Sequence, residues 1–271
     1  MGCQMSVFNR FAIVVLAVSI ACFSLFSCSR KSNDSLAAIK SKGEITIATS
    51  PDFPPFEFIE KDGNITGIEI ELFKRIAADI GVKVKVESVD FDAIIPSVVS
   101  GKYDLGVSGF SITEERKRNV LFCNPYTRTG IALVVRDSGK ALSIKSASQL
   151  KGMKVSVQSG TTSDTFCNEN GLDVNAYQSN TEAELALASG KVDVWAIDNV
   201  TGKRMVDAYN RDHSSKLRML DDLLSYEEYA FIAAKGSDTL VNAINARLDK
   251  FRSDGTIDRL FEEFSEHSSA Q

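Results

Sequence analysis

The groups best suited to chemistry stand where short β-branched runs give way to helical patterns. Gln158-Ser159-Gly160-Thr161-Thr162 follows the strand-like stretch 154–157 and opens a helix. A helix start of this kind presents free backbone N–H groups and the positive end of the helix dipole, and its natural guest is a carboxylate. Thr161 and Thr162 serve equally well as helix caps, so the pattern alone leaves both roles open. Asp198 follows the strand-like stretch 192–196 and precedes a helical pattern over 199–209. Its carboxylate can receive a cation, cap the helix, or do both.

Other chemistries lack the side chains they need. The chain has two histidines, His213 and His267, too few and too far apart for an imidazole metal site or for histidine catalysis, and no cofactor is implied. Lys and Arg number 31 against 36 Asp and Glu, a net charge of -5, and no stretch concentrates basic residues as a nucleic-acid footprint does. At 271 residues, 44% apolar and 25% charged, the chain is an ordinary globular one with room for two domains.

The elements that position these groups alternate strand and helix, the signature of an α/β architecture. Residues 44–48 read as a strand. Ile68, Leu72, Ile76 and Ile80 recur every four residues with Gly81 just beyond, which predicts a helix over 69–80. Val82, Val84 and Val86 alternate with charged neighbours, giving a strand with one wet face. A helix over 91–100 and a strand over 104–107 follow, and Ser111-Ile112-Thr113-Glu114 opens another helix with capping chemistry. A second set begins after Tyr126, with strands over 131–136, 154–157 and 192–196 and helices starting at Thr161, Thr181 and Asn199.

Ser100-Gly101-Lys102-Tyr103-Asp104-Leu105 recurs as Ser189-Gly190-Lys191-Val192-Asp193-Val194. Shared turn chemistry can produce such an echo, and so can two lobes of similar topology. In the second case Gly109 to Ser111 and Asp198 sit beyond equivalent strands. Ligands of open α/β sheets bind outside the carboxyl ends of strands, so these residues would face one cleft.

The N-terminus sets the compartment. Arg10 precedes the apolar and small run 11–26, after which the sequence turns polar from Ser29. The run is shorter than the ~20 residues of a membrane span and suits a signal sequence. Leu25-Phe26-Ser27-Cys28 resembles the bacterial lipobox, in which the Cys becomes the lipidated first residue; Cys22 is a poorer candidate. An ordinary cleaved signal and an uncleaved anchor are the alternatives, and all three export the chain. Cys123 and Cys167 then remain, and the compartment invites a disulfide that their expected placement in different lobes opposes.

Four ordered motifs carry a family resemblance: Ala48-Thr49-Ser50-Pro51-Asp52-Phe53-Pro54-Pro55-Phe56-Glu57-Phe58, Gly67-Ile68-Glu69-Ile70-Glu71-Leu72, Asp90-Phe91-Asp92-Ala93-Ile94-Ile95-Pro96 and Ser111-Ile112-Thr113-Glu114-Glu115-Arg116. Over residues 39–264 the chain resembles the bacterial periplasmic amino-acid-binding proteins of ABC importers, which include glutamine-, histidine- and lysine/arginine/ornithine-binding proteins. The resemblance implies an α/β periplasmic-binding-protein fold of two lobes, each a mostly parallel sheet flanked by helices, joined by two crossover hinge strands. It divides the chain into a signal peptide (1–27), a lipid-anchored tether (28–38), lobe 1 (39–127), lobe 2 (128–224) and a return to lobe 1 (225–267), with hinges near 126–130 and 221–227.

The same resemblance gives roles to single residues. Arg116 would grip a ligand α-carboxylate through its planar fork; from spacing alone it reads as a solvated helix arginine. Asp198, the Gly109 carbonyl and the Ser111 hydroxyl would hold the ligand ammonium. Phe53 and Phe91 would sandwich its side chain, although aromatics at strand ends more often belong to a core. Thr161 and Thr162 would meet the carboxylate from lobe 2. Ser50, Glu57, Gln158 and Ser108 are the specificity candidates. Ser50 and Gln158 are neutral where basic-amino-acid binders and the glutamine binder carry charge, which favours a polar uncharged ligand such as glutamine. Glu57 keeps a basic ligand such as arginine open.

The expected protein is thus a monomeric, lipid-anchored receptor, facing the periplasm or cell exterior, that hands an L-amino acid to an ABC permease and its ATPase. Two alternatives share the scaffold: a cyclohexadienyl dehydratase-like enzyme, which needs a general acid in the cleft, and a ligand sensor for a membrane signalling partner.

Overall fold

The structure, a computed structural model, describes residues 34–139 and 149–266. The signal sequence, Cys28 and the start of the tether lie outside the described residues. In chain order come α1 (Ser35–Lys42), β1 (Glu44–Thr49), β2 (Asp52–Phe53), β3 (Glu57–Ile59), β4 (Ile65–Thr66), α2 (Ile68–Ile80), β5 (Lys83–Ser88), α3 (Phe91–Val99), β6 (Leu105–Gly106), α4 (Glu114–Asn119) and β7 (Val120–Phe122). Then follow β8 (Thr127–Thr129), β9 (Ile131–Arg136), β10 (Lys154–Gln158), α5 (Thr162–Glu169), β11 (Asp173–Tyr177), α6 (Asn180–Ala188), β12 (Val194–Asp198), α7 (Asn199–Asp212) and β13 (Leu217–Met219). The chain ends with β14 (Glu227–Tyr229), β15 (Ile232–Ala234), α8 (Asp238–Ser253) and α9 (Thr256–Glu266).

The tether expected through residue 38 is shorter than the sequence reading has it. Asp34 accepts the Ala37 N–H at 3.0 Å and caps α1, whose Ile39 is buried in the first core and whose end turns through Gly43 at φ 72°. An N-cap at one end and a left-handed glycine at the other are sufficient signals for a short helix once a face can dock.

Two five-stranded sheets organise the rest, in the orders β5-β1-β6-β15-β7 and β11-β10-β12-β9-β13. They follow one plan. In the first, β1 runs parallel to β5 and β6; in the second, β10 runs parallel to β11 and β12. Each has one reversed strand, β15 or β9, antiparallel to both neighbours. That strand is in each case the one entered after β8 or β14, and β8 and β14 pair antiparallel outside both sheets. The expected boundary between 127 and 128 falls inside β8.

The sequence echo has the same plan at atomic level. Lys102 N–H meets the Ser97 carbonyl at 2.9 Å and Lys191 N–H the Ala186 carbonyl at 3.0 Å. Asp104 N–H bonds Thr46 O and its side chain accepts Thr46 N–H, at 2.9 and 2.7 Å; Asp193 does the same with Lys154, at 2.9 and 3.0 Å. Each aspartate clamps the start of the neighbouring strand, which fixes where that strand's carboxyl end emerges.

Both sheets are covered on both faces. The first buries Ile45, Ile47 and Leu105 under α2 and α8 on one side, and Ala48, Ile94 and Phe110 on the other. The second buries Val155, Val157 and Val194 on one side and Val134, Trp195 and Ile197 on the other. The periodic isoleucines and leucine of α2 are all buried, as amphipathic spacing requires. Cys123 belongs to the first core and Cys167 to the second; both thiols are unbonded, and burial pushes each up to about 12.

Candidate ligand-binding site

A cavity of about 500 Å³, open solvent at its mouth included, lies beyond the carboxyl ends of β1, β6, β10 and β12. Its lining contains Ser50, Phe53, Glu57, Phe91, Ser108, Gly109, Ser111, Arg116, Gln158, Thr161, Thr162 and Asp198, so the structure brings together every residue singled out for binding or specificity.

Arg116 enters from α4, a short helix whose N-cap Thr113 accepts the Arg116 N–H at 3.1 Å. Arg116 is 9% exposed; its guanidinium lies 5.6 and 5.5 Å from the ring centroids of Phe91 and Phe110 and donates to the carbonyls of Ser111 and Gly160 at 3.0 Å each. Burial pulls its pKa down from the usual arginine value, an effect the Glu227 carboxylate opposes. Among the described residues it forms no ion pair. A buried guanidinium bonded only to carbonyls keeps donors for an anionic guest.

Asp198 is the N-cap of α7. One carboxylate oxygen accepts the Val200 and Thr201 N–H groups at 2.8 and 3.1 Å, and the other accepts the Tyr229 hydroxyl at 2.9 Å and the Thr129 hydroxyl. Burial raises its pKa to about 7 against the pull of the Thr201, Tyr229 and Val200 donors. A cation placed beside it would restore the charged form. Thr161 is committed to capping: its hydroxyl accepts the Asp164 N–H at 3.2 Å and donates to the Gln158 carbonyl at 2.8 Å. The Thr162 hydroxyl donates to Glu227 at 2.8 Å, and Ser111 shares the same carboxylate.

Aromatic rings wall the cavity. Phe53 stacks on Phe56 at 5.6 Å and Phe91 on Phe110 at 4.9 Å. Gly109, at φ 54°, lets Phe53 lie close, since a Cβ there would stand 2.9 Å from the ring.

A second polar group of residues surrounds Glu57. Its Oε1 accepts the Ser108 hydroxyl at 2.9 Å, and its buried Oε2 has no hydrogen-bond partner. Burial, then the neighbouring Glu69 carboxyl, push Glu57 well above the usual carboxylate range. Gln158 donates to the Gln178 carbonyl at 3.1 Å and accepts from Asn180 Nδ2 at 2.8 Å. Asp52 accepts the Asn180 backbone N–H at 2.6 Å, where α6 begins.

Sequence reasoning passed over Asn180, Glu227 and Tyr229, which also line the cavity. Asn180 follows β11, whose residues lack clean alternation, and the other two lie on the second crossing, whose pairing with β8 leaves no local trace.

Two lobes of one plan, meeting at a cavity beyond the carboxyl ends of their strands, define the periplasmic-binding-protein fold. Comparison with known proteins is more specific: residues 45–267 match the profile of the bacterial extracellular solute-binding proteins, family 3, and the chain belongs to that family. It is 30% identical over 275 residues to the ABC transporter glutamine-binding protein GlnH of Bacillus subtilis (strain 168), covering 99% of this chain and 98% of that one. Holo ArgBP from T. maritima superposes with a TM-score of 0.75 at 36% identity, over 83% of this chain and 99% of that one. The ancestral amino acid-binding protein AncCDT-1, a precursor of cyclohexadienyl dehydratase, does so with a TM-score of 0.76 at 33% identity, over 85% and 99%. Family membership makes the chain an extracytoplasmic solute-binding protein. No helix among the described residues is long and apolar enough to cross a membrane.

Proposed function

We propose that the chain is a monomeric receptor that captures an L-amino acid in this cavity and delivers it to an ABC permease and its ATPase, tethered to the membrane by lipid on Cys28. The observation that carries the reading is the pairing of opposite needs in one cavity: among the described residues Arg116 is a buried cation in no ion pair, and Asp198 is a buried carboxyl in no ion pair. An α-amino acid supplies one group to each. The ligand's carboxylate takes the Arg116 fork together with the Thr162 N–H at the start of α5, its ammonium takes Asp198, and Phe53 and Phe91 flank its side chain.

For the side chain, the surroundings of Glu57 support an order of preference opposite to the one drawn from Ser50 and Gln158. Glu57 lines the cavity, has one carboxyl oxygen without a hydrogen-bond partner, lies near Asp52, and forms no ion pair among the described residues. A guanidinium satisfies such a group, so a basic amino acid of the arginine type comes first and glutamine second. The relation to ArgBP supports this order and that to GlnH keeps the second.

A thermal-shift screen of the twenty amino acids with ornithine and citrulline tests the reading, because a ligand at a hundred times its Kd stabilises the folded state by about 2.7 kcal/mol. Arginine is expected to give the largest shift, and no shift with any amino acid would overturn the receptor reading. The AncCDT-1 relationship and the raised pKa of Asp198 favour one second reading, a dehydratase with Asp198 or Glu57 as general acid. Aromatic product from prephenate or arogenate would establish it.

A further inference from the structure

Glu69 is the first acidic residue of α2, fully buried, and outside the cavity lining. Its two oxygens share the Gly109 N–H at 3.1 and 3.0 Å, directly behind the loop that carries the cavity wall. It also stands beside Glu57, since the Glu69 N–H donates to the Phe56 carbonyl at 3.0 Å, and the two buried carboxyls act on one another electrostatically. The other titratable or charged neighbours of the pair are Asp52 on β2 and Tyr229 on β14, with Arg116 and Asp198 elsewhere in the cavity lining. None of the ion pairs among the described residues includes Glu57 or Glu69. Two buried carboxyls without a cation cannot both ionise.

We propose that Glu69 is a positioning residue that holds one shared proton for Glu57, so that the pair offers a single negative charge to a cationic ligand side chain and loses that charge when it takes up a second proton. With a guanidinium bound, the proton resides on Glu69 and the charge on Glu57. With both carboxyls protonated, the same oxygens accept only neutral hydrogen bonds, and the advantage of a cation over an isosteric neutral side chain disappears. Burial raises Glu69 to about 7, which puts the second protonation within an accessible range. This inference rests on the basic-ligand reading and adds to it a pH-dependent selectivity.

The test is the ratio of arginine to citrulline affinity, measured by titration calorimetry from pH 5 to pH 8. The two ligands share the same backbone groups, so titration of Asp198 cancels in the ratio. In the wild-type protein the ratio should fall about tenfold for each pH unit below the midpoint of the pair. Glu69→Gln keeps an acceptor for Gly109 and a donor toward Glu57 but removes the second carboxyl, and its midpoint should move to lower pH. Glu57→Gln should leave the ratio low and flat, and citrulline affinity at pH 8 reports whether each variant is folded. Arginine binding with a wild-type ratio that changes less than threefold would overturn the inference alone, as would an unmoved midpoint in a folded Glu69→Gln protein. Failure of arginine to bind at pH 8 would overturn the basic-ligand reading and this inference together.

Discussion

Arg116 donates to the Gly160 carbonyl at 3.0 Å, a bond from a side chain on α4 to the loop that opens α5 in the other lobe. Asp52 on the Asn180 N–H and Ser159 on Asp92 make two further bridges of the same kind. The side chain proposed to hold the ligand carboxylate is therefore also a fastener between the lobes, so that capture and closure would draw on the same atoms.

Replacing Arg116 with Ala removes one partner of a buried charge pair in the complex, at a cost of roughly 2–5 kcal/mol, or about 30- to 5,000-fold in affinity. Arg116→Lys keeps the charge but not the fork and should recover only part of the loss. Calorimetric titration checks both; a loss under threefold for Ala would make Arg116 a structural residue only.

The bridges join β2, α3 and α4 to the second lobe, so the closed state should depend on them. Ligand is expected to lower the radius of gyration seen by small-angle scattering, with rotation near β8 and β14. Asp52→Ala removes a charge-assisted bond worth roughly 1.5–3 kcal/mol and should weaken affinity about ten- to 150-fold through faster release. Equal release rates in wild type and variant would exclude Asp52 as a latch.

Asp198 gives a pH dependence whose sign is fixed. Its pKa is raised from 3.8 to about 7 in the empty protein, so the stability it contributes is full below about pH 4 and is lost as pH rises through about 7. A bound ammonium reverses the shift, and binding therefore releases a proton below pH 7. Affinity for a neutral-side-chain ligand such as citrulline should fall by about tenfold per pH unit in that range. An affinity constant from pH 5 to pH 8 would place the ammonium elsewhere.

Gly109 combines a left-handed φ of 54° with a would-be Cβ only 2.9 Å from the Phe53 ring. Gly109→Ala should cost about 1–3 kcal/mol of stability and displace the ring, with affinity reduced further. Chemical denaturation and calorimetry together measure the two losses, and an unchanged Kd would remove Phe53 from the ligand's surroundings.

The cavity loops after β6, β10 and β12 were legible because each follows a strand-like run and carries chemistry within a few residues, as in Gln158 to Thr162, whereas the loop after β1 was read only through the family resemblance. The lobe plan was legible through a turn, since the Gly-Lys-x-Asp echo encodes a clamp on the neighbouring strand. What stayed hidden depends on partners far along the chain. Tyr229 reaches Asp198 across 31 positions, and Glu227 reaches Ser111 across 116. The upward shift of Glu57 was equally out of reach, because it depends on full burial and on Glu69, neither of which local sequence reports.

The order of strands in the first sheet sets a timetable. β15, at residues 232–234, is the fourth strand of β5-β1-β6-β15-β7 and separates β6 from β7, both of which precede it by more than a hundred residues. The second sheet is complete once β13 has been made, but the first waits for almost the last of the polypeptide. During synthesis the first sheet therefore lacks the strand that joins β6 to β7 until residues 232–234 have been made.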